Sequence, residues 1–239
     1  ALLGGDSWGD LLPESSGDKE RNPANMGSPY VPLDSWVYPA LERLIALGYI
    51  KSGYLGIRPW TRMECARMLE EAGQAIADQD DMSSVATRIY SDLAQEFSRE
   101  TGRLNGAANL GASLDSVYAR ATNISGPPLR DSYHFGQTII NDYGRPYGEG
   151  FNAIGGVIAH AEAGPFAFFV RGEYQHAPAV GSDALPVLQA IANADFTSPV
   201  ADTRGEINRL DLVEGTASFT WRNTQLSFGK QSQWLGPGE

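Results

Sequence analysis

The chain has 239 residues, 42% of them apolar, a formal charge of −11 and a single cysteine, Cys65. These numbers exclude a disordered protein, a disulfide framework and a cysteine-rich metal site; with no basic face visible, a nucleic-acid partner is not expected. No run of about 18 apolar residues occurs, so no transmembrane helix is expected, yet strands of about 10 residues with alternating polarity cross a membrane without any such run.

Residues 1–28 are polar and rich in Gly, Pro and Ser, and read as an extended arm. The opening ALLGGDSWGD lacks the basic start and full apolar core of a signal peptide; either the protein is cytoplasmic or a leader has been removed. The closing QWLGPGE stops in mid-loop, so a fragment is expected. A helical bundle is expected over 29–102. Trp36, Ala40, Leu41, Leu44 and Ile45 share one helix face, which ends near Gly48. Thr61 and Glu64 have capping-box spacing, with Pro59 two residues upstream, and Ala66, Met68, Leu69 and Ala72 can then face inward. A third helix is expected from about Ser83 to Arg99, where Val85, Ile89, Leu93 and Phe97 recur every fourth residue.

After Gly102 the period becomes two, and 103–239 reads as antiparallel strands. Strands fit Ala107–Thr122, Phe151–Ala163, Phe166 to about Pro178, Asn208–Trp221 and Gln225–Trp234. Phe166, Phe168 and Val170 fall on one parity, with Arg171, Glu173 and Gln175 on the other. Likewise Val213, Ala217, Phe219 and Trp221 oppose Glu214, Thr216, Ser218 and Thr220.

The connections alternate: long over 123–150, short at Ala163-Gly164-Pro165, long over 179–207, short at Arg222-Asn223-Thr224. An outer-membrane barrel has this rhythm, because its periplasmic turns are short and its external loops long. The expectation is therefore that the Phe166 face meets lipid, while Arg171, Glu173 and Gln175 face a polar lumen. Residues 131–144 could instead form a strand, which would reverse the sidedness of the loops; the loop reading is preferred. Leu185, Leu188 and Ala192 have helical spacing and suggest a short helix packed over the barrel mouth.

Two passages carry a resemblance. YVPLDSWVYPALERLIALGYI followed by GIRPWTRMECARML resembles a surface-layer-homology motif through Trp36, Gly48, Arg58, Pro59, Thr61, Arg62 and Glu64. The same passage, joined to YHFGQTIINDYGRPYGEGFN, VRGEYQHAP and SFGKQSQWLGPGE, resembles more closely the Wzi family of capsule assembly proteins, from about Tyr30 to Glu239. That resemblance implies a small α-helical bundle at the periplasmic mouth of an antiparallel transmembrane β-barrel in the outer membrane. It implies a lectin-like, non-catalytic role in holding capsular or other surface polysaccharide. Five strands are too few to close such a barrel, and open edges are not viable in lipid. The chain then reads as the N-terminal part of a larger barrel, with outer-membrane lipid and the remaining barrel strands as partners.

Binding a polysaccharide needs aromatic faces for sugar rings and planar hydrogen-bonding groups for hydroxyls and carboxylates, for which Arg is best suited. Asp142, Tyr143, Arg145, Tyr147 and Glu149 lie in one Gly-rich stretch, and Trp234 ends the last expected strand. These six are the candidate binding residues. The other reading makes Tyr143 and Tyr147 interface-girdle aromatics, with Arg145 paired to Asp142 or Glu149. In the bundle, Trp36, Arg58, Thr61, Arg62 and Glu64 could bind a cell-wall polymer, but a core Trp36 and a Thr61/Glu64 cap are favoured. His134, His160 and His176 share no metal spacing, so neither a metal nor a cofactor is expected. Cys65 reads as a buried small residue. No nucleophile-elbow, P-loop or dinucleotide motif occurs. Glu173 and Glu214 could in principle form a glycosidase pair, but inward carboxylates are ordinary in a polar lumen and no catalytic residue is assigned. Two other functions stay in view: a porin with a wall-tethering domain, and a soluble glycan-active enzyme.

Overall fold

A computed structural model describes residues 21–78, 85–126, 145, 147–201 and 203–236. The helical part begins after a 3-10 turn at Pro23–Asn25. Its helices are α1 (Val37–Ala46), α2 (Arg62–Asp78), α3 (Val85–Glu96) and α4 (Ser98–Leu104). In α1 the spacing of Val37, Tyr38, Leu41 and Leu44 buries one face, and the helix ends just before Gly48. In α2 the Thr61 hydroxyl accepts a hydrogen bond from the Glu64 amide at 3.2 Å, capping the first turn. Met63, Ala66, Leu69, Ala72 and Ile76 then turn inward. The helix expected over 83–99 breaks at Phe97, whose backbone leaves helical geometry, and a separate α4 follows. Cys65 is fully buried in the same core, and burial pushes its thiol pKa up.

The remaining strands are β1 (Ile57–Arg58), β2 (Leu110–Ile124), β3 (Gly150–Ala163), β4 (Phe166–Ala177), β5 (Ile207–Trp221), β6 (Thr224–Lys230) and β7 (Trp234–Leu235). Five of them form an open antiparallel sheet in the order β2-β3-β4-β5-β6. The last expected strand, 225–234, divides. Its first part is β6, registered from Trp221↔Thr224 to Gly215↔Lys230 against β5, whereas Trp234 lies in β7 and pairs with β1. Between β4 and β5 runs α5 (Leu185–Ala194), with Leu185, Val187 and Ile191 exposed; of its residues only Ala192 is fully buried. Residues 131–144 lie outside the described residues.

The sheet is inverted relative to a water-soluble one. Phe166, Phe168, Val170, Phe219, Trp221, Leu226 and Phe228 are exposed, whereas His160, Glu162, Glu173, Gln175, Glu214, Ser218 and Thr220 are buried. In water, the hydrophobic effect drives the opposite assignment.

Two strands change phase. In β2, Leu110, Ala112 and Leu114 are exposed, then Val117, Ala119 and Ala121. In β5, Leu210 and Leu212 are exposed, then Ala217, Phe219 and Trp221. Each shift is one residue, as a bulge produces; β3 and β4 alternate without interruption over the same level.

The chain clusters into two compact units. One takes the chain up to Asp115, Ala159–Val170 and the chain from Glu214 on; the other takes Ser116–Ile158 and Arg171–Val213. In the first unit the β3–β4 turn is tied to the segment preceding α1. The Gly27 amide donates to the Gly164 carbonyl at 2.9 Å, and Asn109 Nδ2 donates to the carbonyls of Gly27 (2.8 Å) and Gly164 (2.6 Å). A Cβ at Gly27 would lie 2.4 Å from the Phe166 carbonyl carbon, so the close approach requires glycine. Arg222 and Asn223 both have positive φ in the two-residue β5–β6 turn, a hairpin of the primed type. Their amides donate to Asn25 Oδ1 and the Ala24 carbonyl, both at 2.8 Å.

Candidate functional site

The second unit assembles a polar lattice from three strands and a loop. Alternation along β4 turns Arg171, Glu173 and Gln175 to the same face. Glu173 is 1% exposed and is the only buried carboxylate of this unit among the described residues. It accepts from Tyr118 Oη at 2.5 Å, from Arg145 Nε at 3.0 Å and Nη2 at 2.5 Å, and from Gln175 Nε2 at 3.3 Å. Arg171 Nη2 stands 3.8 Å away and its Nε donates to Tyr118 Oη at 3.1 Å. A carboxylate removed from water is tolerated only when its oxygens are satisfied this fully. The two-pronged Arg145 contact fixes orientation as well as charge, which a lysine could not do.

Further basic groups extend the lattice. Arg120 Nη2 donates to Tyr147 Oη at 2.6 Å, Arg209 Nη2 reaches Gln175 Oε1 at 3.4 Å, and Arg204 donates to the Tyr147 carbonyl. Asn152 pins the loop: its Oδ1 accepts from the Gly148 amide and its Nδ2 donates to the carbonyls of Gly148 and Gly150, at 2.9–3.0 Å. The Tyr118 ring lies where a Cβ at Gly156 would be, 2.3 Å from its Cζ, so glycine opposite the ring makes this placement possible. Five guanidiniums and two tyrosines are thus held around one buried carboxylate. Guanidiniums have the geometry to pair with carboxylates and other planar anions through two hydrogen bonds, and tyrosines add ring faces beside them.

Of the sequence candidates, Arg145 and Tyr147 belong to this lattice and Glu149 is exposed next to it. Asp142 and Tyr143 lie outside the described residues. Trp234 belongs to the other compact unit, where the Arg58 guanidinium sits 4.5 Å over its ring centroid. Tyr118, Arg120, Asn152, Arg204 and Arg209 were not singled out from sequence. For Tyr118, Arg120 and Arg209 the cause is specific: strict alternation from Leu114 or back from Phe219 turns them to the apolar face, and the phase shifts reverse that.

The first unit holds a different cluster. Arg62 bonds Glu96 and Glu100, each at 2.8 Å; Arg103 bonds Glu100 at 3.4 Å and Glu162 at 3.0 Å; His160 Nδ1 meets Asp115 at 2.6 Å and its Nε2 lies 3.4 Å from Glu162. Ligand atoms of Glu100, His160 and Glu162 lie within 4.8 Å of one another, but both carboxylates are bonded to Arg103 and the group is accounted for as an ion-pair chain. Burial is the largest single influence and raises the Glu100 carboxyl pKa; the hydrogen bonds and charge of Arg62, with the charge of Arg103, together outweigh it and hold the carboxyl below the usual range. Glu214, weighed with Glu173 as a catalytic pair, lies in this unit, where its Oε1 accepts from the Ser232 amide at 2.9 Å. Trp36, expected in the core, is 48% exposed.

A family model described as Capsule assembly protein Wzi matches residues 119–239. No curated protein and no solved structure matches the chain.

Proposed function

From the premise that the chain belongs to the capsule assembly protein Wzi family, a family of outer-membrane proteins, we propose that it retains an acidic surface polysaccharide at the outer membrane without altering it chemically. The observation that carries this reading is the Arg–Tyr lattice around Glu173, set on the inner face of strands whose outer face is apolar. The apolar face meets lipid, the polar face lines a lumen, and further strands complete the barrel beyond β2 and β6. The helical bundle lies at the periplasmic mouth. Guanidiniums take the uronate or other anionic groups of the glycan, and tyrosines lie against its rings. The saturation of Glu173 by four hydrogen bonds from Tyr118, Arg145 and Gln175 speaks against its acting as a nucleophile or general acid.

Replacing Arg145 and Tyr147 together by Ala tests the reading in cells expressing the complete protein. Surface retention of acidic capsule is expected to fall by about tenfold, the equivalent of one charge-assisted pair, while heat-modifiable gel mobility of the outer-membrane protein is unchanged. Full retention by correctly inserted variant protein removes the assignment.

The polar inner face is also what a water-filled pore needs. Single-channel conductance of the complete protein in planar bilayers separates the two readings: sustained open current favours a porin, a silent barrel the retention of polysaccharide.

A further inference from the structure

The first compact unit contains a groove of about 480 Å³ whose lining includes no residue of the Arg–Tyr lattice and which has no role in the function proposed above. Its size is in the range of small-ligand sites. Trp36, Asp92, Glu96, Arg99, Asp115 and His160 contribute to its lining, with Glu100 and Arg62. We propose that this groove binds a single sugar unit that carries no carboxylate, a neutral hexose or a hexosamine.

Three observations support this. The first is the Trp36 indole, left half-exposed at the groove, whereas the bundle's other indole, Trp60, is buried. Trp36 occupies the position before α1 but makes no side-chain capping bond, so helix capping does not account for it. A flat apolar ring at a polar groove suits the C–H face of a pyranose. The second is rigidity. Glu100 is fixed by Arg62 and Arg103, and Asp115 by its 2.6 Å contact with the His160 ring, so the polar groups are already positioned before a ligand arrives. The third is sign. Four carboxylates against two guanidiniums leave the groove net negative. Carboxylates accept hydrogen bonds from hydroxyl or ammonium groups, and they repel an acidic sugar. The preference is thus opposite to that of the arginine lattice.

The test titrates glucose, glucosamine and glucuronate separately into the full chain in detergent micelles, followed by calorimetry and tryptophan fluorescence. Saturable binding of glucose or glucosamine is expected, with glucuronate at least about tenfold weaker. Tighter binding of glucosamine identifies the hexosamine as the source, and equal binding a hydroxyl-only recognition. Trp36→Ala should abolish the binding and Trp36→Phe, which keeps a ring face, should retain it. Asp115→Asn, on an exposed strand position, should weaken glucosamine more than glucose while far-UV circular dichroism is unchanged. No saturable binding of either sugar, glucuronate binding as tightly as glucose, or binding unaffected in folded Trp36→Ala would each overturn the proposal.

Discussion

Leu93 has no exposed surface and sits in the bundle core with Leu41, Leu44, Leu69 and Phe97. Leu93→Ala is expected to destabilise the bundle by about 2–5 kcal/mol, the cost of lost transfer energy plus a cavity, measurable as a lower urea midpoint. Glu100 makes the bundle acid-sensitive. Its folded carboxyl titrates below its unfolded value, so its contribution is fully present above the ordinary carboxylate pKa and is lost as pH falls through the lower folded one. Urea midpoints measured downward from pH 6 should therefore drop in that acidic window, and Glu100→Gln should flatten this dependence. The same substitution should lower stability at neutral pH by about 3–5 kcal/mol, because Arg62 and Arg103 lose their shared buried partner.

Among the elements, the helices and strands follow from local pattern. The recurrence of Ile89, Leu93 and Phe97 marks the side of the helix that packs on the bundle, although Val85 at its start is exposed, and the alternation of Phe166, Phe168 and Val170 marks one face of β4. Two kinds of feature do not follow. The Arg103–Glu162 pair joins residues 59 apart, and nothing local to either specifies the other. The phase shifts in β2 and β5 invert everything past them, so Tyr118, Arg120 and Arg209 are legible only once the shift is known. Trp36 was misassigned for a related reason: its helical spacing puts it with Ala40 and Leu44, but it precedes the first turn of α1 and is not bound by that periodicity. Single cysteines at 117 and 118, in a chain whose native Cys65 is buried, give a direct check on β2. Position 117 should react with a lipid-soluble reagent and position 118 with a membrane-impermeant one; the reverse pattern would mean that β2 alternates without a shift.

For the whole molecule, the lipid-facing reading rests on the apolar side chains that the sheet exposes. Exposed apolar patches of this breadth on a water-soluble monomer mark contact surfaces, and here they run along every strand of the five-stranded sheet, while the buried face carries His160, Glu162, Glu173, Gln175 and Glu214 beside Ile154, Ile158 and Phe169. Expressed behind an export signal in a Gram-negative host, the protein should be recovered in outer membranes and run faster before boiling than after, as folded barrels do. Recovery in the soluble periplasm would require the Phe166 face to pack on protein, and the soluble glycan-active reading would then lead.

The clasp between the Pro23–Asn25 turn and the β5–β6 hairpin has a consequence in time. Asn25 meets the Arg222 amide, and the Tyr30 hydroxyl lies 3.0 Å from that of Ser227, across 197 residues in each case. The helices close on near neighbours in sequence, whereas these bonds wait for almost the whole described chain. In the order of folding, the segment around residues 25–30 is therefore held late. Until the hairpin forms, Asn25 and Tyr30 lack these partners, and their engagement marks the point at which the fifth strand of the sheet is in place.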